Sequence, residues 1–251
     1  MKGFLKNWPL ILLIALALLT RFWNLGYPPE VVFDEVHFGK FVSAYFTGEY
    51  YFDIHPPLGK LMIAGFASLF GFEPNFAFKQ IGEALNARDL WVLRFLPALF
   101  GALFVIVFYK FILAAGFSKK AASLGAFLIL FDNAFLVESK FIFVDMFFLV
   151  FGFAALLFFF RAQGAASKKQ LLLYGAAGVF AGLSASIKWT GLAFAGIILF
   201  FSFTKFLQDR RFKEFAARAT LFIILACFVY LAPFALHFKL LASPGPGDAF
   251  M

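Results

Sequence analysis

The sequence predicts an all-α polytopic membrane protein, with about seven transmembrane helices and two amphipathic interfacial helices in its first outside loop. Three observations carry this. Of 251 residues, 63% are apolar and 43 are Phe, while only 14% are charged, against about 25% in an ordinary soluble domain. The mean hydropathy is +0.89. The apolar residues gather in stretches of the length that crosses a bilayer, about 20 residues. A soluble monomer would leave much of this Phe and Leu in water, and disordered chains are poor in aromatics, so both classes are excluded. The single cysteine, Cys227, excludes a disulfide scaffold and a cysteine-based metal cluster. The net charge of +8 is first a topology signal in such a chain, and no nucleic-acid partner is expected.

The apolar stretches run at 8–22, 91–113, 121–137, 141–160, 171–187, 189–204 and 219–236. The first follows Lys2 and Lys6, lacks a small-residue cleavage site and ends in Thr20-Arg21-Phe22-Trp23. It reads as a retained helix rather than a signal peptide. Residues 57–71 are too short to span, since 15 residues make about 22 Å of helix against a core about 30 Å thick. If they do not cross, Lys119 and Lys120, then Arg161, Lys168 and Lys169, then Lys205, Arg210, Arg211, Lys213 and Arg218 all share one side with the N-terminal lysines. The positive-inside rule selects that arrangement. The N-terminus is then cytoplasmic. Residues 24–90 form one extracytoplasmic loop, and the 138–141 loop, the Lys188 junction and the 237–251 tail lie on the same outer side.

Inside that loop, Phe38, Phe41, Val42, Tyr45 and Phe46 recur at i, i+3, i+4, i+7, i+8, with Lys40, Ser43 and Thr47 opposite. The stripe predicts a helix suited to the membrane interface. Asp34 is placed to cap its start, and Thr47-Gly48 closes it. Pro56-Pro57 opens a second helix over 57–71 in its first turn. Between them, Tyr50-Tyr51-Phe52-Asp53-Ile54 reads as strand-like. No internal repeat interrupts the chain, which reads as one membrane-embedded domain over 1–251.

Four polar constellations interrupt the apolar background. In Val32-Phe33-Asp34-Glu35-Val36-His37, a carboxylate among apolar neighbours suits a general base at the lipid–water boundary; the plain alternative is a helix cap. In Asp53-Ile54-His55-Pro56-Pro57-Leu58-Gly59-Lys60, a histidine and a lysine flank a helix start, a place that binds anions; the alternative is a solvated turn. Asp132-Asn133, Glu138-Ser139-Lys140 and Asp145 gather at the junction of two apolar helices, where ionisable groups face a cavity or pair together. A Glu138–Lys140 or Lys140–Asp145 pair is the structural alternative there. Lys188-Trp189 lies between two spans, with snorkelling as its simpler explanation, and Arg94 can serve as an interfacial anchor. His37, His55 and His237 share no metal-ligand spacing. Three outside carboxylates are compatible with a divalent cation, but no cofactor or metal site is established, and no glycine-rich phosphate loop supports nucleotide binding.

The run VVFDEVHFGKFVSAYFTGEYYFDIHPPLGKLMIAGFASLFGF closely resembles the first outside loop of the protein O-mannosyltransferases, which are C-type, polyprenyl-phosphate-sugar-dependent glycosyltransferases. The likeness continues in VLRFLPALFGAL, DNAFLVESKFIFVD, SIKWTGL and HFKLLASPGPGDAFM, in the family's order over nearly the whole chain. The resemblance implies transfer of mannose from a dolichyl- or polyprenyl-phosphate-mannose donor to Ser or Thr hydroxyls of an acceptor protein, on the extracytoplasmic face and with inversion. It implies Asp34 as the base and Glu35 as the second acidic residue, orienting substrate or scaffolding the loop. Arg21 and Arg94 match arginines important in the family. His55 and Lys60 match HPPL-x-K and are donor-phosphate candidates, with Lys140 and Asp145 also expected at the substrate. Lys140 stands where the family usually has Arg, and a lysine cannot make the bidentate fork.

Phosphate is a good leaving group, so one base with cations around the phosphate suffices for such a reaction. The implied setting is a bacterial-type plasma membrane or an endoplasmic reticulum membrane, with membrane lipid around the chain and a homo- or heterodimeric partner. The PGPGDAFM end reads as a loop leading to further segments. Two other readings are a related transferase with another sugar or a lipid acceptor, and a non-catalytic partner subunit.

Overall fold

Ten α-helices and two short 3₁₀ segments supply the regular structure of residues 8–250, the part that the computed structural model describes. Lys2 and Lys6 lie outside the described residues. The helices are α1 (Trp8–Phe22), α2 (Glu35–Thr47), α3 (Leu58–Leu69), α4 (Ala87–Ala114), α5 (Lys119–Phe131), α6 (Asn133–Glu138), α7 (Asp145–Ala162), α8 (Ser167–Ala185), α9 (Leu192–Asp209) and α10 (Phe212–Leu240). The 3₁₀ segments are Trp189–Gly191 and Pro246–Phe250. Among the described residues four helical segments are long and apolar enough to cross a membrane: Ala87–Ala114, Asp145–Ala162, Trp189–Asp209 and Phe212–Leu240. Trp8–Phe22 and Leu58–Leu69 are shorter apolar helices.

Local chemistry sets the boundaries. Asn86 starts α4 by accepting the Asp89 N–H, and Ser118 starts α5 by accepting the Ala121 N–H. The apolar stretch 121–137 is not one helix. Asp132 turns extended (φ −64°, ψ 126°), which ends α5, and its carboxylate then accepts the Ala134 and Phe135 N–H groups to start α6. An aspartate competes for backbone donors in this way and breaks a helix that hydrophobicity alone would continue. The strand-like segment Tyr50–Ile54 is corrected too. Among the described residues there is no strand, only isolated bridges, one of them between Glu49 and Ser243. Tyr50 spends its backbone groups on the C-terminal tail, donating to the Ser243 carbonyl and accepting from the Gly247 N–H.

The helices pack as a bundle in which α4 touches α1, α5 and α7, and α8 sits between α7 and α10. Small residues make the second contact close. A Cβ on Gly178 or Gly182 would stand 2.5 Å from the carbonyl oxygens of Phe222 or Ala226 on α10. Backbones approach this closely between membrane helices because no side chain intervenes. Phe228 and Leu231 on α10 stay exposed, as an apolar face in contact with lipid or further helices does.

The α2 stripe does not lie free at the interface. Phe38 and Val42 are buried, with Phe41, Tyr45 and Phe46 packed beside them, in one core shared with Ile63, Ala64, Leu90, Leu93 and Phe147. The stripe finds apolar partners in α3 and α4, so it faces protein, while Lys40 and Thr47 remain exposed.

Candidate active site

The chain reverses at Phe33, whose φ of 47° is left-handed and costly for an aromatic residue. Asp34 follows with helical angles (φ −70°, ψ −3°) and makes no cap hydrogen bond. The expected capping role is therefore corrected: a capping side chain needs an extended backbone to turn back onto the free N–H groups. The Asp34 carboxylate is left uncommitted and partly exposed.

Glu35, its neighbour, is wholly buried and accepts four hydrogen bonds. Arg94 Nε donates to Oε1 and Nη2 to Oε2, both at 2.8 Å. The Val32 N–H adds 2.8 Å and the Ile142 N–H 2.9 Å. Arg94 uses its remaining donors on the carbonyls of Leu25, Pro28 and Glu30 and lies 5.0 Å from the Phe141 ring centre. Arg94 is 0% exposed, so the interfacial-anchor alternative fails. The pair ties segment 25–35 and the Phe141-Ile142 turn to α4. Holding the loop is the one of Glu35's two expected roles that these contacts perform.

The Phe141-Ile142 turn leads into Asp145, first residue of α7. Its two carboxylate oxygens accept from Lys188 Nζ at 2.7 and 2.8 Å. Lys188 joins α8 to the Trp189–Gly191 turn, so this bridge links the starts of α7 and of the α9 segment. Glu138, at the end of α6, lies within electrostatic reach of Asp145, Lys188 and Asp34. Burial pushes its carboxyl up to about 7, and the negative charge of Asp145 adds to the rise. His55 faces the same cluster. Burial lowers its imidazole below the usual histidine range, Asp53 opposes this, and Lys188 and Lys60 add to the lowering. Asp34, Glu138, Asp145, Lys188 and His55 thus meet at one end of the bundle, contributed by five separate stretches of chain. Such a grouping of coupled ionisable side chains is the mark of a functional site.

Lys60 stands apart from this surface. It is 1% exposed, ion-paired with Asp53, and donates to the His55 carbonyl at 2.7 Å. It also faces the Phe41 and Tyr51 rings, and burial lowers its ammonium below the ordinary lysine range while Asp53 opposes the shift. The HPPL-x-K motif therefore folds into an internal tether that fixes the His55 turn. Above it opens a cavity of about 130 Å³ walled by Tyr50, His55, Phe234 and His237. Tyr51 donates to the Tyr45 hydroxyl at 2.7 Å, and Tyr45 lies 2.8 Å from His237 Nδ1, so α10 closes this side.

Arg21 and Lys140 brace the cluster from behind. Buried Arg21 donates to Thr20 Oγ1 (2.9 Å) and to the Leu130 carbonyl (2.7 Å). A cation at the end of α5 complements that helix's dipole. None of its polar contacts is with the Asp34 cluster. Lys140 Nζ donates to the Trp23 carbonyl at 2.8 Å. Neither a Glu138–Lys140 nor a Lys140–Asp145 bridge forms, because Asp145 is taken by Lys188. Among the described residues, no three His, Cys, Asp or Glu side chains converge as a metal site requires.

Lys188 and Glu138 are the members that sequence reasoning passed over. The available signal was a lone charge at the end of an apolar run, which at membrane depth has a partner; the partner's identity appears only in three dimensions.

Residues 11–242 match the family described as dolichyl-phosphate-mannose-protein mannosyltransferase. The chain is 37% identical to protein O-mannosyltransferase 1 of Drosophila pseudoobscura pseudoobscura, over 98% of this chain and 28% of that protein. It is 34% identical to dolichyl-phosphate-mannose–protein mannosyltransferase 1 of Saccharomyces cerevisiae, over 96% of this chain and 31% of that one. Its fold superimposes on the S. cerevisiae protein O-mannosyltransferase Pmt1-Pmt2 complex bound to the sugar donor, with a TM-score of 0.87 and 30% identity, over 97% of this chain and 35% of that chain. ArnT of Cupriavidus metallidurans shares the fold alone (TM-score 0.66, 21% identity). The chain spans about a third of the length of these relatives. Its helical membrane architecture is that of the C-type glycosyltransferases, and the chain belongs to the dolichyl-phosphate-mannose–protein mannosyltransferase family.

Proposed function

We propose that this chain forms the Asp34-centred part of an active site that moves mannose from a polyprenyl- or dolichyl-phosphate-mannose donor to Ser or Thr hydroxyls of a protein acceptor. The carrying observation is the contrast between two adjacent carboxylates: Glu35 is consumed by four hydrogen bonds, and Asp34 by none. Asp34 is free to take the hydroxyl proton as oxygen attacks the sugar carbon. The bond from that carbon to the phosphate oxygen breaks, and polyprenyl phosphate leaves with the electron pair. A single attack of this kind inverts the sugar.

Lys188 and His55 are our donor-phosphate ligands, in preference to Lys60, whose charge is neutralised internally by Asp53. In this reading the phosphate takes Lys188 from Asp145, and Asp145 turns to the protonated Glu138. Arg94 and Glu35 hold the loop, while Arg21 and Lys140 hold α6 and the α1 end. The site faces the extracytoplasmic side, since the basic loops 161–169 and 205–218 lie at the other end of the bundle. By analogy with the yeast complex, the chain works beside a second subunit.

The test uses membranes containing the chain, labelled polyprenyl-phosphate-mannose and a Ser/Thr-rich peptide. Label on the peptide that disappears with Asp34→Asn supports the reading. Label that persists in that variant removes Asp34 as the base.

A further inference from the structure

The end of the bundle opposite Asp34 carries a second built feature. Between α7 and α9 lies a cavity of about 470 Å³ whose walls include Phe159, Phe160 and Phe201. Lys205 stands at its rim and donates to Gln163 Oε1 at 3.2 Å, while the Gln163 amide donates to the Phe159 carbonyl at 3.2 Å. Lys205 makes no ion pair among the described residues. Beyond it, Arg211 and Arg218 share one carboxylate, that of Glu214, and Arg218 also covers the Tyr174 ring. Segment 205–218 holds five cations and two carboxylates. The rim is therefore cationic beyond what its own acids neutralise, and the wall behind it is aromatic and at membrane depth.

That combination selects an amphiphile with a negative head. A neutral lipid would leave Lys205 uncompensated, and a free anion would leave the phenylalanine wall empty. Basic pockets between membrane helices take anionic headgroups on this logic. We propose that the cavity between α7 and α9 binds an anionic phospholipid, its chain against Phe159, Phe160 and Phe201 and its phosphate on Lys205. The site is separate from the Asp34 cluster and independent of the transfer reaction.

The experiment uses the full chain, purified and delipidated in neutral detergent. It is titrated with phosphatidylglycerol, with phosphatidylcholine of the same acyl chains, and with glycerol phosphate. Native mass spectrometry counts adducts and thermal unfolding follows stabilisation. Phosphatidylglycerol is expected to bind and raise the unfolding midpoint, and the other two are not. Lys205→Met is expected to weaken phosphatidylglycerol binding about fivefold, and Lys205→Arg to keep it. Thr204→Trp, which fills the cavity, is expected to abolish binding with the detergent midpoint unchanged. The double change Lys119→Gln/Lys120→Gln, at the same end but outside the cavity, is expected to leave binding unchanged. Equal binding of both lipids overturns the proposal, as does protection by glycerol phosphate alone. So does full binding by Lys205→Met or Thr204→Trp, or an equal loss in the Lys119/Lys120 variant, which would reveal unspecific surface attraction.

Discussion

Glu35 and Arg94 form a two-point ion pair with both N–O distances at 2.8 Å and no solvent exposure on either side chain. Because both charges are desolvated, removing one strands the other, which costs about 3–5 kcal/mol. Arg94→Met is therefore expected to lower the thermal unfolding midpoint of the detergent-solubilised protein sharply. Arg94→Lys should rescue little, since an ammonium cannot span both carboxylate oxygens and also reach the carbonyls of Leu25, Pro28 and Glu30. An unchanged midpoint in Arg94→Met would refute the hub.

Asp34 predicts the opposite phenotype one residue away. Its side chain holds no cap, so Asp34→Asn should unfold with the native protein while mannosyl transfer falls by roughly 10²–10⁴, the usual contribution of a general base. Donor binding should be unchanged. A variant that loses stability in proportion to activity would recast Asp34 as structural.

Lys188 separates binding from chemistry. Its bridge to Asp145 is partly exposed, with side chains 19% and 26% accessible, so its loss is mild for stability. Lys188→Met is expected to raise the donor KM about tenfold or more through loss of a charge-assisted contact to phosphate, and Lys188→Arg to recover part of it. Equilibrium binding of sugar-free polyprenyl phosphate measures the effect directly. Native affinity in Lys188→Met would remove this residue from the phosphate site.

Glu138 sets a pH window. Its carboxyl rises from an ordinary 4.5 to about 7, so the folded state favours the protonated form. That advantage is complete below about 4.5 and is lost as the pH rises through about 7. Glu138→Gln, a mimic of the protonated acid, should match the native protein at low pH and exceed its stability above pH 7. Parallel stability curves for the two proteins across this window would show that Glu138 is not displaced.

Gly101 tests how α6 is seated. A Cβ there would lie 2.2 Å from Ser139 Cβ, so the chain carrying Glu138 must move. Gly101→Ala is expected to cost about 1–3 kcal/mol, as overpacking does, and to lower transfer although no polar group is lost. A variant with native stability and activity would show that α6 tolerates displacement.

The sequence by itself determined the solvent. Apolar stretches and one-sided lysines and arginines specify a helical membrane protein, and the Asp34-Glu35, HPPL-x-K and SIKWTGL runs specify its family. These properties are local or compositional, so they can be read one segment at a time. The division of labour inside each motif was decided only by the tertiary structure. Asp34 and Glu35 are adjacent and chemically alike, yet Arg94 and the Ile142 N–H bury one and leave the other free. Lys60 and Lys188 are both lysines in apolar company, yet Asp53 neutralises the first in the interior while the second meets Asp145 at the site. Asp132 ends a helix that hydrophobicity would have continued, and so places Glu138. Which charge is desolvated, and by which partner, depends on contacts between segments tens of residues apart. Hydropathy and spacing carry no record of those contacts.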